Sequence, residues 1–191
     1  MREGDLLEGV EVLVTLLVLD IRDFAQFADH SSARETVAYL NDFLQSVVPI
    51  VRKHHGHPKS FLGDGLLAVF GVPDDLDEHP ERAVAAAMEI STALDESYGI
   101  GVGISSGVVV AGTIGGGGWV DFALIGDSMN VARRIAQLTK ETGDRILVGE
   151  STRVLLGHHP TFVFEWRGTH PVRTKSEQVD VYALAHFPER P

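Results

Sequence analysis

The chain has 191 residues, no cysteine and a formal net charge of −11. That length suits one domain spanning 1–191, able to bury about 70% of the surface its unfolded form exposes. The charge argues against a nucleic-acid partner, which needs a basic footprint, and the lack of cysteine excludes disulfides and thiol chemistry.

The longest apolar run, Val12–Leu19, is too short to cross a bilayer. Met1–Asp5 lacks the pattern of a signal peptide. A cytoplasmic chain without direct membrane insertion is expected, possible also as the cytosolic domain of a larger protein.

Val10–Asp20 reads as a strand, and Asp20 ends its apolar run. Ser31–His54 reads as a helix, with a capping box from Ser32 to Glu35 and a bend at Pro49. Phe61–Phe70 reads as a hairpin around Gly63-Asp64-Gly65. Pro80–Tyr98 reads as a helix with proline near its first turn. Gly101–Ser105 and Val108–Thr113 read as two strands, and Gly115–Gly118 as a flexible loop.

Gly126 breaks the next apolar run, and Asp127 or Ser128 is placed to cap a helix. Val131, Ile135 and Leu138 follow at helical spacing. Strands near Arg145–Val148, Phe162–Trp166 and Gln178–Leu184 complete the chain. The fold class is α/β, as an α+β sandwich: a mostly antiparallel sheet covered by helices on one face.

The chemistry-bearing residues sit at the ends of these elements. A carboxylate at a strand end is fixed in position and reaches solvent. Mg²⁺ is usually held by one or two carboxylates plus substrate phosphates. Asp20 and Asp64 together suit a metal pair about 3.5–4 Å apart. Taken singly, Asp20 is an ordinary strand end and Asp64 an ordinary turn residue. Asn130 and Arg134 lie four apart and project from one helix face. An amide beside a guanidinium suits a phosphate or a ribose, and equally a solvated face.

Other patterns carry less. Gly103-Ile104-Ser105-Ser106-Gly107 matches a nucleophile elbow, but another strand follows it where a helix is required, so a hairpin turn is expected. His54, His55 and His57 flank a glycine without a matching ligand set, and read as an exposed loop, as do His158 and His159. Gly115–Gly118 precede Trp119-Val120 rather than a helix start, so they form no phosphate cradle.

Three ordered motifs together resemble the class III nucleotidyl cyclases, over about Val12 to Tyr182. They are Asp20-Ile21-Arg22-Asp23-Phe24-Ala25, then Gly63-Asp64-Gly65 with Ala68-Val69-Phe70-Gly71, then Gly126-Asp127-Ser128-Met129-Asn130-Val131-Ala132-Arg133-Arg134. The resemblance implies a ferredoxin-like core and an adenylate cyclase that converts ATP to 3′,5′-cyclic AMP and pyrophosphate. It implies two Mg²⁺ or Mn²⁺ per site, held by Asp20, Asp64 and the Ile21 carbonyl. Amides of Ile21 to Phe24 would receive the terminal phosphates. Asn130 would orient the ribose and Arg134 would stabilise transition-state charge. Arg173, with Lys175 as fallback, would grip the triphosphate. In this family the aspartates come from one subunit and the Asn and Arg from the other, so a head-to-tail homodimer is implied, with Gly115–Trp119 near the interface.

The base-reading positions depart from the family pattern. Where adenylyl cyclases carry Lys and Asp or Thr, this chain carries Ser60 and Ala123. Lys59 is one residue early, which on a regular strand points it to the opposite face. Asp23 and Ala25 replace the family's Gly and Thr. Two alternatives therefore stay open: a guanylyl or mixed-specificity cyclase, and a nucleotide-binding regulatory domain with little turnover. ATP is the expected substrate, preferred only modestly over GTP.

Overall fold

A computed structural model describes residues 9–61, 63–74, 76–94, 98–172 and 177–185. In chain order its elements are β1 Val10–Ile21, α1 Phe24–His30, α2 Ala33–Lys53, β2 His57–Phe61, β3 Gly65–Phe70, α3 His79–Ala93, β4 Ile100–Gly116, β5 Trp119–Ile125, α4 Ser128–Thr142, β6 Ile146–Gly149, α5 Glu150–Leu156, β7 Phe164–Pro171 and β8 Gln178–Leu184. The sheet runs β2-β3-β1-β4-β6-β8-β7, with β5 paired to β4. Every pairing is antiparallel except β4 with β6.

The central strands are apolar on both faces because both are covered. Leu17, Leu19 and Ile21 of β1 pack with Phe43, Val47 and Val51 of α2 and Val84 and Ala87 of α3. The alternate residues Val14, Leu16 and Val18 pack with Ala132 and Ala136 of α4. Successive side chains on a strand point to opposite faces, so α4 lies across the sheet from α2 and α3. The expectation of helices on one face is corrected here. Periodicity gave the helices but not the side of the sheet each would take.

Glycine lets α4 sit close. A Cβ at Gly103 would meet the Ala136 nitrogen at 2.2 Å and the Ala132 oxygen at 2.4 Å. A Cβ at Gly101 would meet Thr139 Oγ1 at 2.1 Å. Small residues on both elements bring the helix backbone down onto β4.

Several boundaries differ from those read off the sequence. Residues 101–113 form one strand, not two, because β1 pairs with β4 without interruption from Val10–Ala111 to Ile21–Ile100. Ser106 lies mid-strand, its hydroxyl bonded to Thr15 at 2.6 Å and Thr152 at 2.9 Å, so the region is neither elbow nor turn. Gly115 and Gly116 extend β4, and only Gly117 and Gly118 turn, both at positive φ. That is the tight hairpin geometry glycine favours.

The helix expected from Ser31 is preceded by a separate short helix, α1. The Ser32–Glu35 capping box forms, and α2 runs through Pro49. The helix from His79 ends at Ala93, short of Tyr98. β7 continues to Pro171. His57 opens β2 instead of lying in a loop, and His54, in the turn after α2, is half-buried with Nε2 2.8 Å from Glu89 of α3.

Candidate active site

β1 and the turn before β3 bring Asp20 and Asp64 together. Asp20 pairs with Gly65 across the β1–β3 ladder, and the Ile21 amide donates to the Asp64 carbonyl at 2.9 Å. Glycine is required at 65, because a Cβ there would lie 2.0 Å from the Leu19 oxygen. Gly63 takes φ +75 on the other side of Asp64. Both carboxylates open into a cleft of about 390 Å³, closed on the far side by Arg133, Gln137 and Lys140 of α4.

The electrostatics of the cleft are unusual. The Asp20 side chain is 13% exposed, and its Oδ2 lies 2.8 Å from Lys140 Nζ. Burial pushes the Asp20 carboxyl above the usual carboxylate range; the neighbouring Asp64 adds to this, and Lys140 opposes it. Burial and a second carboxylate favour the protonated form, and a cation beside them favours the charged one.

The donor set fits a hard divalent cation. Among the described residues no group of three or more His, Cys, Asp or Glu is placed to hold a metal. Two carboxylates therefore need substrate oxygens to complete a coordination shell, as Mg²⁺ sites commonly do.

The turn after β1 differs from the expected phosphate nest. The Ile21 amide is taken by Asp64, and the Arg22 amide donates to the Gly99 carbonyl at 2.8 Å. Two of the four amides expected to face phosphate are thus committed to the fold. Asp23 takes φ +58, a left-handed conformation that Asp tolerates better than most residues. Phe24 opens α1, and its ring packs toward Phe27 and Tyr39.

Arg22 carries a role invisible in sequence. Its guanidinium donates to the carbonyls of Thr139 at 3.1 Å and Asp144 at 2.9 Å. It ties the C-terminal end of α4 to the end of β1, so Lys140 is held beside Asp20. Cations at a helix C-terminus are favourable on electrostatic grounds as well.

Asn130 and Arg134 lie on α4 but do not line the carboxylate cleft of their own chain. Asn130 is exposed. Arg134 reaches Glu141 at 3.2 Å and the Pro171 carbonyl at 3.4 Å. Asp127 holds the N-cap position of α4 without a side-chain capping hydrogen bond. Arg173 and Lys175 lie outside the described residues.

The base-reading positions lie on β2 and β5. Ser60 is exposed on β2, and Ala123 of β5 pairs with Gly112 of β4. The β2–β3 register shifts between Pro58 and Ser60. A bulge sets two residues against one partner, so regular alternation does not fix the face of Lys59. Its Nζ lies 3.5 Å from Asp121 Oδ1 and 5.8 Å from the Phe122 ring centroid. Asp121 is two residues before Ala123, on the same face of β5.

Residues 11–186 match the family model described as the adenylate and guanylate cyclase catalytic domain. The chain belongs to this family. It is 33% identical over 154 residues to an uncharacterized protein of Mycobacterium tuberculosis, covering 79% of this chain and 29% of that protein. It is 30% identical to the terminal-differentiation specific adenylate cyclase of Dictyostelium discoideum, over 90% of this chain and 8% of that one. Among solved structures it is similar to the guanylyl cyclase Cya2, with TM-score 0.81, 27% identity and 95% of each chain covered.

The cyclase domain thus spans less than a third of the length of the mycobacterial relative. Its relatives include proteins named for each nucleotide. Family members generally use two divalent cations and act as dimers. Among the described residues no helix is long and apolar enough to cross a membrane.

Proposed function

We propose that the chain is a single adenylate cyclase catalytic domain that converts ATP to 3′,5′-cyclic AMP and pyrophosphate. The observation that carries this reading is the shared cleft of Asp20 and Asp64. Asp20, Asp64 and the Ile21 carbonyl would hold two Mg²⁺ or Mn²⁺, which would supply charge neutralisation and activation of the ribose 3′-hydroxyl. The hydroxyl oxygen bonds to the α-phosphorus, its proton passes to solvent water, and the bond to the pyrophosphate leaving group breaks. Asn130 orients the ribose. Arg134 meets the charge that develops on the α-phosphate. The amides of Asp23 and Phe24, with Arg173 or Lys175, receive the terminal phosphates.

The site is shared between two copies arranged head to tail. Two observations support this. Asn130 and Arg134 do not line the carboxylate cleft of their own chain. One face of the β4–β5 hairpin also exposes Val108, Ile114, Trp119 and Ile125, with Trp119 and Ile125 each 60% exposed. An uncovered apolar sheet face of this kind marks an interface.

Lys59 and Asp121 support ATP. A cation and a carboxylate side by side offer a donor and an acceptor to the base edge, which Ser60 and Ala123 do not. Ser60 and Ala123 favour a second reading, in which selection is loose and GTP is also cyclised. Incubating the purified protein with Mn²⁺ and ATP or GTP, then quantifying cyclic product, tests both. Cyclic AMP in excess is the expected result; no cyclic product from either nucleotide would leave the regulatory reading.

A further inference from the structure

Lys140 is the direct counter-ion of Asp20. Its ammonium lies 2.8 Å from Oδ2, on a side chain that is itself 47% exposed to the cleft. A divalent cation coordinated by Asp20 and this ammonium compete for the same oxygen. The fixed charges lining the cleft cancel: Asp20 and Asp64 against Arg133 and Lys140. Metal alone would add uncompensated positive charge, and polyphosphate alone uncompensated negative charge. The two together restore the balance.

Resting on the cyclase reading above, we propose that Lys140 is a metal-responsive phosphate ligand. It pairs with Asp20 until metal takes that carboxylate, and then turns its ammonium to the polyphosphate of the bound nucleotide. Three features support the exchange. Lys140 sits one turn beyond Ala136, on the side of α4 that faces the carboxylates. Arg22 anchors the carbonyls on either side of it, at Thr139 and Asp144, so the backbone stays in place while the side chain moves. The lysine stem is flexible and carries a compact charge, suited to changing partners. The consequence is coupling: metal and nucleotide each bind weakly alone and tightly together.

The test measures Mn²⁺ binding to the full chain by electron paramagnetic resonance, with and without 3′-deoxy-ATP, which cannot cyclise. In the unsubstituted protein the nucleotide should tighten Mn²⁺ binding about tenfold or more, within the usual range of coupling between sites. Lys140→Met should bind Mn²⁺ alone about fivefold or more tighter, and the nucleotide should then add little. Lys140→Arg, which keeps the charge, should not gain Mn²⁺ affinity. Unchanged or weaker Mn²⁺ binding by Lys140→Met, with coupling intact, overturns the role of Lys140. Asp20→Ala separates this from the underlying reading. If Asp20→Ala binds Mn²⁺ as the unsubstituted protein does, the metal assignment falls and the Lys140 role falls with it. If Asp20→Ala loses Mn²⁺ while Lys140→Met gains none, only the Lys140 role is overturned.

Discussion

Gly103 of β4 lies directly beneath Ala136 of α4, so close that a Cβ on the glycine would stand 2.2 Å from the alanine nitrogen. Backbone cannot yield as a side-chain tip can. This contact sets the height of α4 above the sheet, and with it the reach of Lys140, Gln137 and Arg133 into the carboxylate cleft. Gly103→Ala should therefore cost at least about 1–3 kcal/mol, the usual range for overpacking. It should also lower turnover by displacing α4. Chemical denaturation and cyclic-nucleotide assays on the same preparation check both effects.

Removing either metal carboxylate should separate activity from stability. Asp20→Ala or Asp64→Ala should abolish turnover and leave the fold intact: each removal relieves repulsion between neighbouring carboxylates, and the half-exposed Lys140 left by Asp20→Ala stays solvated. Thermal melts close to that of the unsubstituted protein, alongside loss of product, are expected. Full activity in either variant would exclude the assignment.

Base selection should depend on Lys59. Groups placed to hydrogen-bond a substrate discriminate strongly, whereas a pocket without them discriminates weakly. Lys59→Met should reduce the ratio of kcat/KM for ATP over GTP by about tenfold or more, with Asp121→Ala acting in the same direction. An unchanged ratio in both variants would return selection to backbone or water at Ser60 and Ala123.

Glu89 joins α3 to α2 through Lys53 and His54, each at 2.8 Å. Hydrogen bonds from Lys53 and then His54 hold its carboxyl below the usual carboxylate range. A carboxyl lowered in the folded state binds its proton more tightly when unfolded. Its stabilisation is present above the unfolded value and fades as pH falls through the folded one. Glu89→Gln should therefore lower Tm slightly at neutral pH, and the two melting curves should converge in acid. A difference that persists below the carboxylate range would show that the ion pair is not its cause.

The sequence carried the paired carboxylates more completely than their surroundings. Asp20 and Asp64 were legible because strand ends and a Gly-Asp-Gly turn are local features. The Ser32–Glu35 capping box was legible for the same reason. Residues whose roles depend on contact between distant segments were not. Lys140 reads as one more solvated helix charge until α4 is laid beside β1. Arg22 reads as a turn residue until the end of α4 meets it. The face of Lys59 was read from regular alternation, which the register shift between Pro58 and Ser60 interrupts, and no local pattern announces that shift. Gly103–Gly107 read as a hairpin turn because a second apolar strand pattern follows Gly107. Twelve residues of β1 pairing carry it through as strand.

In the proposed dimer two copies of the chain build each site, the carboxylates from one and Asn130 with Arg134 from the other. Mixing Asp20→Ala with Arg134→Ala tests it most directly. Each variant should be inactive alone, with Arg134→Ala down about 10²–10³-fold as for other transition-state donors. In a mixed dimer one site keeps Asp20 from one subunit and Arg134 from the other, so mixing should restore cyclic-nucleotide production. If subunits exchange and no activity returns, the site is not shared and the account is wrong.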